Sequence, residues 1–167
     1  MSAPSDRRFP GAAMMRIDGF RYQRMTGAGA ELLVALAGSG PPVVLLHGFP
    51  QHHLAWRHVA PRLAGDHRVI CIDSRGSGAI RAVCDDHRAS AFVDPHHDAA
   101  DRAAGAQLTM PVLAAWEDPE DIPLPFDPTH IWARWAPHLT IRTLPGGHCL
   151  PEGNPDDLTA AIADFAG

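Results

Sequence analysis

Lysine is missing altogether: all 14 basic residues of this 167-residue chain are arginine. As surface charges the two residues do comparable work, so the replacement reads as compositional drift alongside abundant Ala, Gly and Pro, and no function is attached to it. A basic stripe is missing as well. The arginines are scattered from Arg7 to Arg142, and a formal net charge of −5 with a pI near 6.1 argues against nucleic acid as a partner. Cysteine is sparse. Cys71, Cys84 and Cys149 are odd in number and widely spaced, which excludes a disulfide framework, suits a reducing compartment and leaves no CxxC zinc pattern. Nowhere do 18 apolar residues run together, and the segment from Met1 to Phe20 has charges without the apolar stretch of a signal peptide. The expectation is a cytoplasmic chain with no membrane partner.

A chain of this length suits one domain, able to bury roughly 70% of its unfolded surface. Residues 1–15 are rich in Pro, Gly, Ser and Arg without a period and predict a loose arm, leaving 16–167 as the domain. Arg16–Thr26 and Glu31–Ala37 alternate as two edge strands, joined through Gly27–Ala30 as a hairpin. Val43–His47 is an unbroken apolar run between Pro42 and Gly48, as a parallel strand covered on both faces would show. Leu54, Trp56, Val59, Ala60 and Leu63 recur at helical spacing through His53–Ala64, before Gly65 as a stop. Val69–Asp73 is the next buried strand, ending in a turn over Ser74–Gly78. Strand, helix and strand make a βαβ unit, whose crossover should be right-handed.

Ala79–Arg88 reads as helix, and Ala91–Gly105 as a polar region containing Asp94, His96, His97, Asp98 and Asp101. Met110–Trp116 is strand-like, and the Pro-rich stretch Asp118–Pro125 cannot hold a regular helix. Asp127 caps and Pro128 opens a helix with Ile131, Trp132 and Trp135 on one face. Leu139–Leu144 alternates as a strand. Asn154 as cap, Pro155 in the first turn and Leu158, Ala161, Ile162 and Phe165 on one face describe a final amphipathic helix. Strands alternating with helices give an α/β fold, a mostly parallel sheet flanked by helices. Ligands on such sheets bind beyond the carboxyl ends of the strands, where His47–Pro50 and Gly146–His148 both fall.

The 11 histidines invite a metal site, above all at His96 and His97 with Asp98 and Asp101. Adjacent side chains of an extended segment point opposite ways, and no His pair has a helical i, i+4 spacing around a Glu, so neither a metal nor any other cofactor is expected. Candidate attacking groups are Asp73, Ser74, Ser77 and Cys149. None sits on a nucleophile elbow, since Ser77 has Arg75 and Ala79 where that turn needs glycines. Asp73 reads better as a turn-stabilising carboxylate and Cys149 as a small buried residue.

HGFPQHHLAW (47–56), HVAPRLAGDHRVICIDSRGSG (58–78), CDDHRAS (84–90), MPVLAAWED (110–118) and GGHCLPE (146–152) together resemble, in this order, the haloacetate dehalogenase and epoxide hydrolase branch of the α/β-hydrolases. The resemblance implies hydrolysis of carbon–halogen, epoxide or related ester bonds through an Asp nucleophile and a His base. It gives the Phe49 backbone N–H the part of oxyanion donor and His148 that of general base, with His47, His87 and Trp116 as candidates for the substrate-binding surface. The family's nucleophile segment, roughly Gly-His-Asp-Arg-Gly, has no counterpart. After Gly78 the chain passes to the end of the cap, so the nucleophile strand, its helix, the next strand and most of the cap are absent. His87 stands where the cap tyrosine would help hold a halide, and Glu117 replaces the glycine after the strand-end Trp. Asp118 and Asp121 stand where many other α/β-hydrolases place the acid that orients the base, although a solvated acidic loop explains them equally well.

If the Met110 strand takes the vacated place beside Val43–His47, with Ala79–Arg88 as crossover helix, the sheet can close. The resemblance then implies a small-molecule hydrolase that is impaired or inactive for want of a nucleophile. The alternative is a non-catalytic module that binds a small molecule or self-associates, as a homodimer across an exposed sheet edge.

Overall fold

The computed structural model describes residues 16–27, 30–48, 51–73, 94–117 and 126–167. Strand β1 (Arg21–Gly27) pairs antiparallel with β2 (Ala30–Ala37), from Arg21↔Leu36 to Gly27↔Ala30. The chain enters β1 later than its alternation predicts. Ile17 and Phe20 turn into the core instead, where the Ile17 N–H donates to the Tyr22 hydroxyl at 2.7 Å. β2 pairs antiparallel with β4 (Arg68–Ile72), and β4 pairs in parallel with β3 (Pro42–Leu46), giving the order β1-β2-β4-β3.

Residues opposite one another on neighbouring strands share a face, so Ala35, Val43, Leu45, Val69 and Cys71 point together into the core. A 3-10 turn at His53–His58, helix α1 (Ala60–Leu63) and the final helix α5 (Pro155–Ala166) cover that face. The expected continuous helix over His53–Ala64 is thus divided in two. Pro61 cannot donate to the Arg57 carbonyl and its ring would crowd that group, so the chain tightens into i→i−3 bonds, such as Val59 N–H to Trp56 O, and resumes as α1. Val59, Ala60 and Leu63 are buried all the same.

The other face of β3 departs from expectation. Val44 and Leu46 are 52% and 67% exposed, because no described element lies over them. The strand at Val112–Glu117, β5, starts after Pro111 and pairs only with β6 (Leu139–Leu144), in parallel, as a separate two-stranded sheet. The proposed closure of β5 onto β3 is therefore overturned, and among the described residues the outer edge of β3 has no partner. The β5–β6 pair joins the same core through Leu113, Ala115 and Leu144. The crossover assigned to Ala79–Arg88 lies outside the described residues, as does the arm at 1–15.

The polar region after it contains helix α2 (Asp94–Ala103), which has no buried residue. Asp94 in its first turn favours the helix dipole, and Arg102 near its end lies over the Trp135 ring at 5.7 Å. Helix α3 (Pro128–Trp132) starts where predicted, with the Asp127 carboxylate accepting from the Thr129 and His130 N–H groups, yet Ile131 and Trp132 stay 45% and 41% exposed. After α4 (Leu150–Gly153), Asn154 caps α5 through the Asp157 N–H, and Leu158 and Ile162 face inward as the periodicity requires. No described helix is long and apolar enough to cross a membrane.

Truncating Leu158, 2% exposed, to Ala should destabilise the fold by about 3 kcal/mol through lost burial and the cavity left behind. Asp164→Ala, which removes only an exposed ion pair to Arg142, should cost less than about 1 kcal/mol. Urea unfolding of the two variants beside the parent chain measures both.

Candidate active site

The described titratable groups of the predicted site occupy the carboxyl ends of the parallel strands. At the end of β4, Asp73 is 8% exposed and anchors its own N–H on the Leu33 carbonyl. Its Oδ1 accepts the His53 backbone N–H at 2.6 Å, and the His53 Nδ1 lies 3.0 and 2.9 Å from Oδ1 and Oδ2. A carboxylate facing both contacts assigns the ring proton to Nδ1. His53 is 5% exposed and packs edge-on against Tyr22 at 5.3 Å, with its Nε2 buried and without a hydrogen-bond partner. His47, just past β3, turns Nδ1 to the Gly48 carbonyl at 3.0 Å and Nε2 toward Asp73 Oδ1 at 3.8 Å, within ion-pair reach but beyond a hydrogen bond.

Burial by itself would raise the Asp73 carboxyl. The ring and backbone hydrogen bonds from His53, then the nearby His53 and His47, outweigh it and hold the group below its ordinary 3.8. Asp73 is thus a fixed, accepting charge that locks the segment after β3 onto β4, with its lone pairs committed to that task. Cys71, two residues earlier and on the core side, has its thiol pushed up to about 12 by burial and then by the Asp73 charge, which leaves no thiolate to attack.

At the end of β6, Gly146 and Gly147 take φ values of 142° and 71°, which a side chain would strain. A Cβ on Gly146 would also come within 2.7 Å of the Asn154 Cβ. The tight passage delivers His148 to an open position, its side chain 73% exposed, with Nδ1 at 3.3 Å from Glu117 Oε1. The Glu117 carboxylate is only 11% exposed. This partner is not among the acids expected from the sequence. Asp118 and Asp121 lie outside the described residues, while Glu117 pairs with Leu144 at the very end of the β5–β6 ladder, beside the turn that carries His148. A carboxylate closing a strand four residues before the His in the neighbouring strand's turn was the available signal, but it requires knowing which strands pair.

Two further contacts join the segments. Gln51 Nε2 donates to Glu152 Oε2 at 3.4 Å, and Arg57 pairs with Glu152 Oε1 while donating to the Leu54 carbonyl. Glu152 lies on α4, four residues past His148, so these bonds tie the stretch after β3 to the stretch after β6. The Arg57 hydrogen bond holds the Glu152 carboxyl below its ordinary range.

Of the other candidates, Trp116 is half-buried on β5 and, as the neighbour of Glu117 along the strand, points to the opposite sheet face. Among the described residues no hydrogen bond or ring contact joins it to His148. Phe49, His87, Ser74 and Ser77 lie outside the described residues. Cys149 is exposed, contrary to the expected small buried residue, because it lies in the open turn with His148. His96, His97, Asp98 and Asp101 line exposed α2, and among the described residues no group of three or more His, Cys, Asp or Glu stands close enough to hold a metal. Chemically, the arrangement offers an exposed imidazole with a carboxylate at Nδ1, leaving Nε2 as the nitrogen to take a proton.

Asp73→Asn should destabilise the chain at pH 7 by about 2 kcal/mol, because a buried charge-assisted acceptor of two bonds becomes a neutral amide. With a depressed folded pKa, the Asp73 contribution is fully present above 3.8 and fades as pH falls through the folded value. The gap between parent and variant should therefore narrow below about pH 4, followed by urea midpoints across that range. A gap unchanged at low pH would contradict the assignment.

Comparison with known proteins agrees with this geometry. Residues 41–82 match a family model described as the alpha/beta hydrolase fold. The chain is 41% identical over 61 residues to a fluoroacetate dehalogenase of Burkholderia sp., covering 36% of this chain and 20% of that protein. It is 45% identical over 62 residues to a soluble epoxide hydrolase of Corynebacterium sp. strain C12, covering 37% and 18%. It is 60% identical over 40 residues to epoxide hydrolase B of Mycobacterium tuberculosis, covering 23% and 11%. The matched stretch therefore spans a fifth or less of each relative's length. Among solved structures, a candidate epoxide hydrolase from Pseudomonas aeruginosa superposes with a TM-score of 0.71 at 22% identity, covering 89% of this chain and 96% of that one. A candidate α/β hydrolase from Nostoc sp. PCC 7120 gives 0.75 at 19%, covering 90% and 99%. At such identities the structural likeness speaks for the fold, and the sequence likeness adds the branch: this chain is a shortened member of the α/β-hydrolase superfamily, with its likeness to the haloacetate dehalogenase and epoxide hydrolase branch carried by the segment from β3 to β4.

Proposed function

We propose that this chain is a dehalogenase- and epoxide-hydrolase-like protein whose site keeps its proton-transfer half and lacks its attacking group, so that hydrolysis of carbon–halogen, epoxide or ester bonds in a small molecule is impaired or lost. The observation that carries the reading is the His148–Glu117 pair at 3.3 Å, set at the ends of parallel strands in a sequence with no nucleophile elbow. A base accelerates the breakdown of a covalent ester only after a nucleophile has formed one. Without that group, binding and oxyanion stabilisation leave a modest residual rate. The Phe49 N–H as oxyanion donor and His47, His87 and Trp116 as the substrate-facing side chains belong to the same reading. Glu117 takes over the orienting part offered to Asp118 or Asp121.

Purified protein incubated with fluoroacetate, chloroacetate, a simple epoxide and a p-nitrophenyl ester should release product no faster than a His148→Ala variant with an unchanged circular dichroism spectrum. Turnover that vanishes in the variant would reject the proposal.

A second reading, self-association without catalysis, is favoured by the unpaired outer edge of β3 with its exposed Val44 and Leu46. Light scattering should then give the mass of a dimer, reduced to that of a monomer by Leu46→Lys. A monomeric parent chain would dismiss it.

A further inference from the structure

At the opposite end of the four-stranded sheet from His47 and Asp73, Arg21, Leu36, Ala37, Gly38 and Arg68 line an open concavity of about 200 Å³. The register explains why two arginines reach it. Arg21 stands opposite Leu36, Leu36 stands opposite Ile70, and Arg68 precedes Ile70 by two residues, so both arginines leave the same sheet face from the strands on either side of β2. That separation is roughly 10 Å, twice the spacing of neighbouring strands. Gly38, between them, contributes only backbone because a Cβ there would stand 2.1 Å from the His67 carbonyl oxygen.

The second observation concerns partners. Arg24, Arg57, Arg62 and Arg142 each face a carboxylate, and Arg16, Arg102 and Arg134 face an aromatic ring or an imidazole. Arg21 and Arg68 make no ion pair, side-chain hydrogen bond or ring contact with any described residue. In a chain with 19 acidic residues against 14 basic ones, the two described arginines left without a counter-group are the two that share a cavity. Like charges directed at one space repel, and an anion between them turns that repulsion into two charge-assisted contacts. The guanidinium fork matches a carboxylate or phosphate edge, and Leu36 and Ala37 supply an apolar wall beside it.

We propose that Arg21 and Arg68 form a binding site for a small oxyanion, a carboxylate or phosphate with room for a short apolar portion against Leu36 and Ala37. The site is separate from the catalytic-end crevice, since the five residues of β4 place Arg68 about 16 Å from Asp73. It holds whether or not the chain hydrolyses anything.

Inorganic phosphate and butyrate, each titrated against chloride at constant ionic strength, distinguish the two chemistries. One of them should raise the melting temperature of the parent chain and shift the Gly38 amide resonance in a saturable way. Arg21→Gln and Arg68→Gln should each weaken that anion at least tenfold, while Arg24→Gln leaves it unchanged. Both variants keep exposed polar side chains, and the Gly38 resonance of the parent chain tests the site independently of them. No saturable shift with either anion, or equal binding by the parent chain and both glutamine variants, would overturn the proposal.

Discussion

The Asp73 carboxylate is the contact on which the carboxyl end of the sheet depends. It closes β4, accepts both the backbone and the ring of His53, and lies within ion-pair reach of His47. Through these bonds the path from β3 to the first helical turn is fastened to the neighbouring strand. The 3-10 turn therefore begins over the core, with Leu54 and Trp56 buried. A buried charge is tolerable only when its lone pairs are met, and here the unmet polar atom is a neutral imidazole nitrogen, a much cheaper orphan than a carboxylate oxygen. The same commitment disqualifies Asp73 as a nucleophile. It stands at a strand end near the crevice, but its electron pairs are already in use.

Beyond that lock, the molecule has an incomplete interior. Four strands and two strands pack on one core without pairing to each other among the described residues, and the exposed face of β3 carries side chains that a central strand of an α/β sheet would bury. The glycine turn before His148 and the strand-end Glu117 nevertheless bring base and acid together, and the Glu152 bonds to Arg57 and Gln51 tie their segment to the one after β3. The protein thus positions proton-transfer groups on the usual end of the usual fold, with no elbow in the sequence to present an attacking atom to them.

Local signals with a steric cause were legible in the sequence. Pro42 and Gly48 bracket β3, Asp127 and Pro128 open α3, and Asn154 with Pro155 opens α5, because caps and proline act through their immediate neighbours. Pro61 was equally visible, yet the run of buried residues on both sides disguised the break it causes. Helix α2 was illegible by apolar periodicity because it has no buried face to generate one. The Glu117–His148 and His53–Asp73 pairs were illegible for another reason. Each joins residues whose closeness follows from strand pairing, and the sequence shows a histidine and a carboxylate without showing that 31 or 20 intervening residues fold back between them. Likewise, the unbroken apolar run of β3 suggested two covered faces, whereas coverage is a property of the neighbours.

Intact-mass spectrometry of the protein, acid-quenched during incubation with excess fluoroacetate or an epoxide, addresses the missing attacker directly. An unmodified mass at every time, with no product beyond the uncatalysed level, is the expected result. A substrate-derived mass increment localised to one side chain, appearing and decaying while product accumulates over several equivalents of protein, would contradict it.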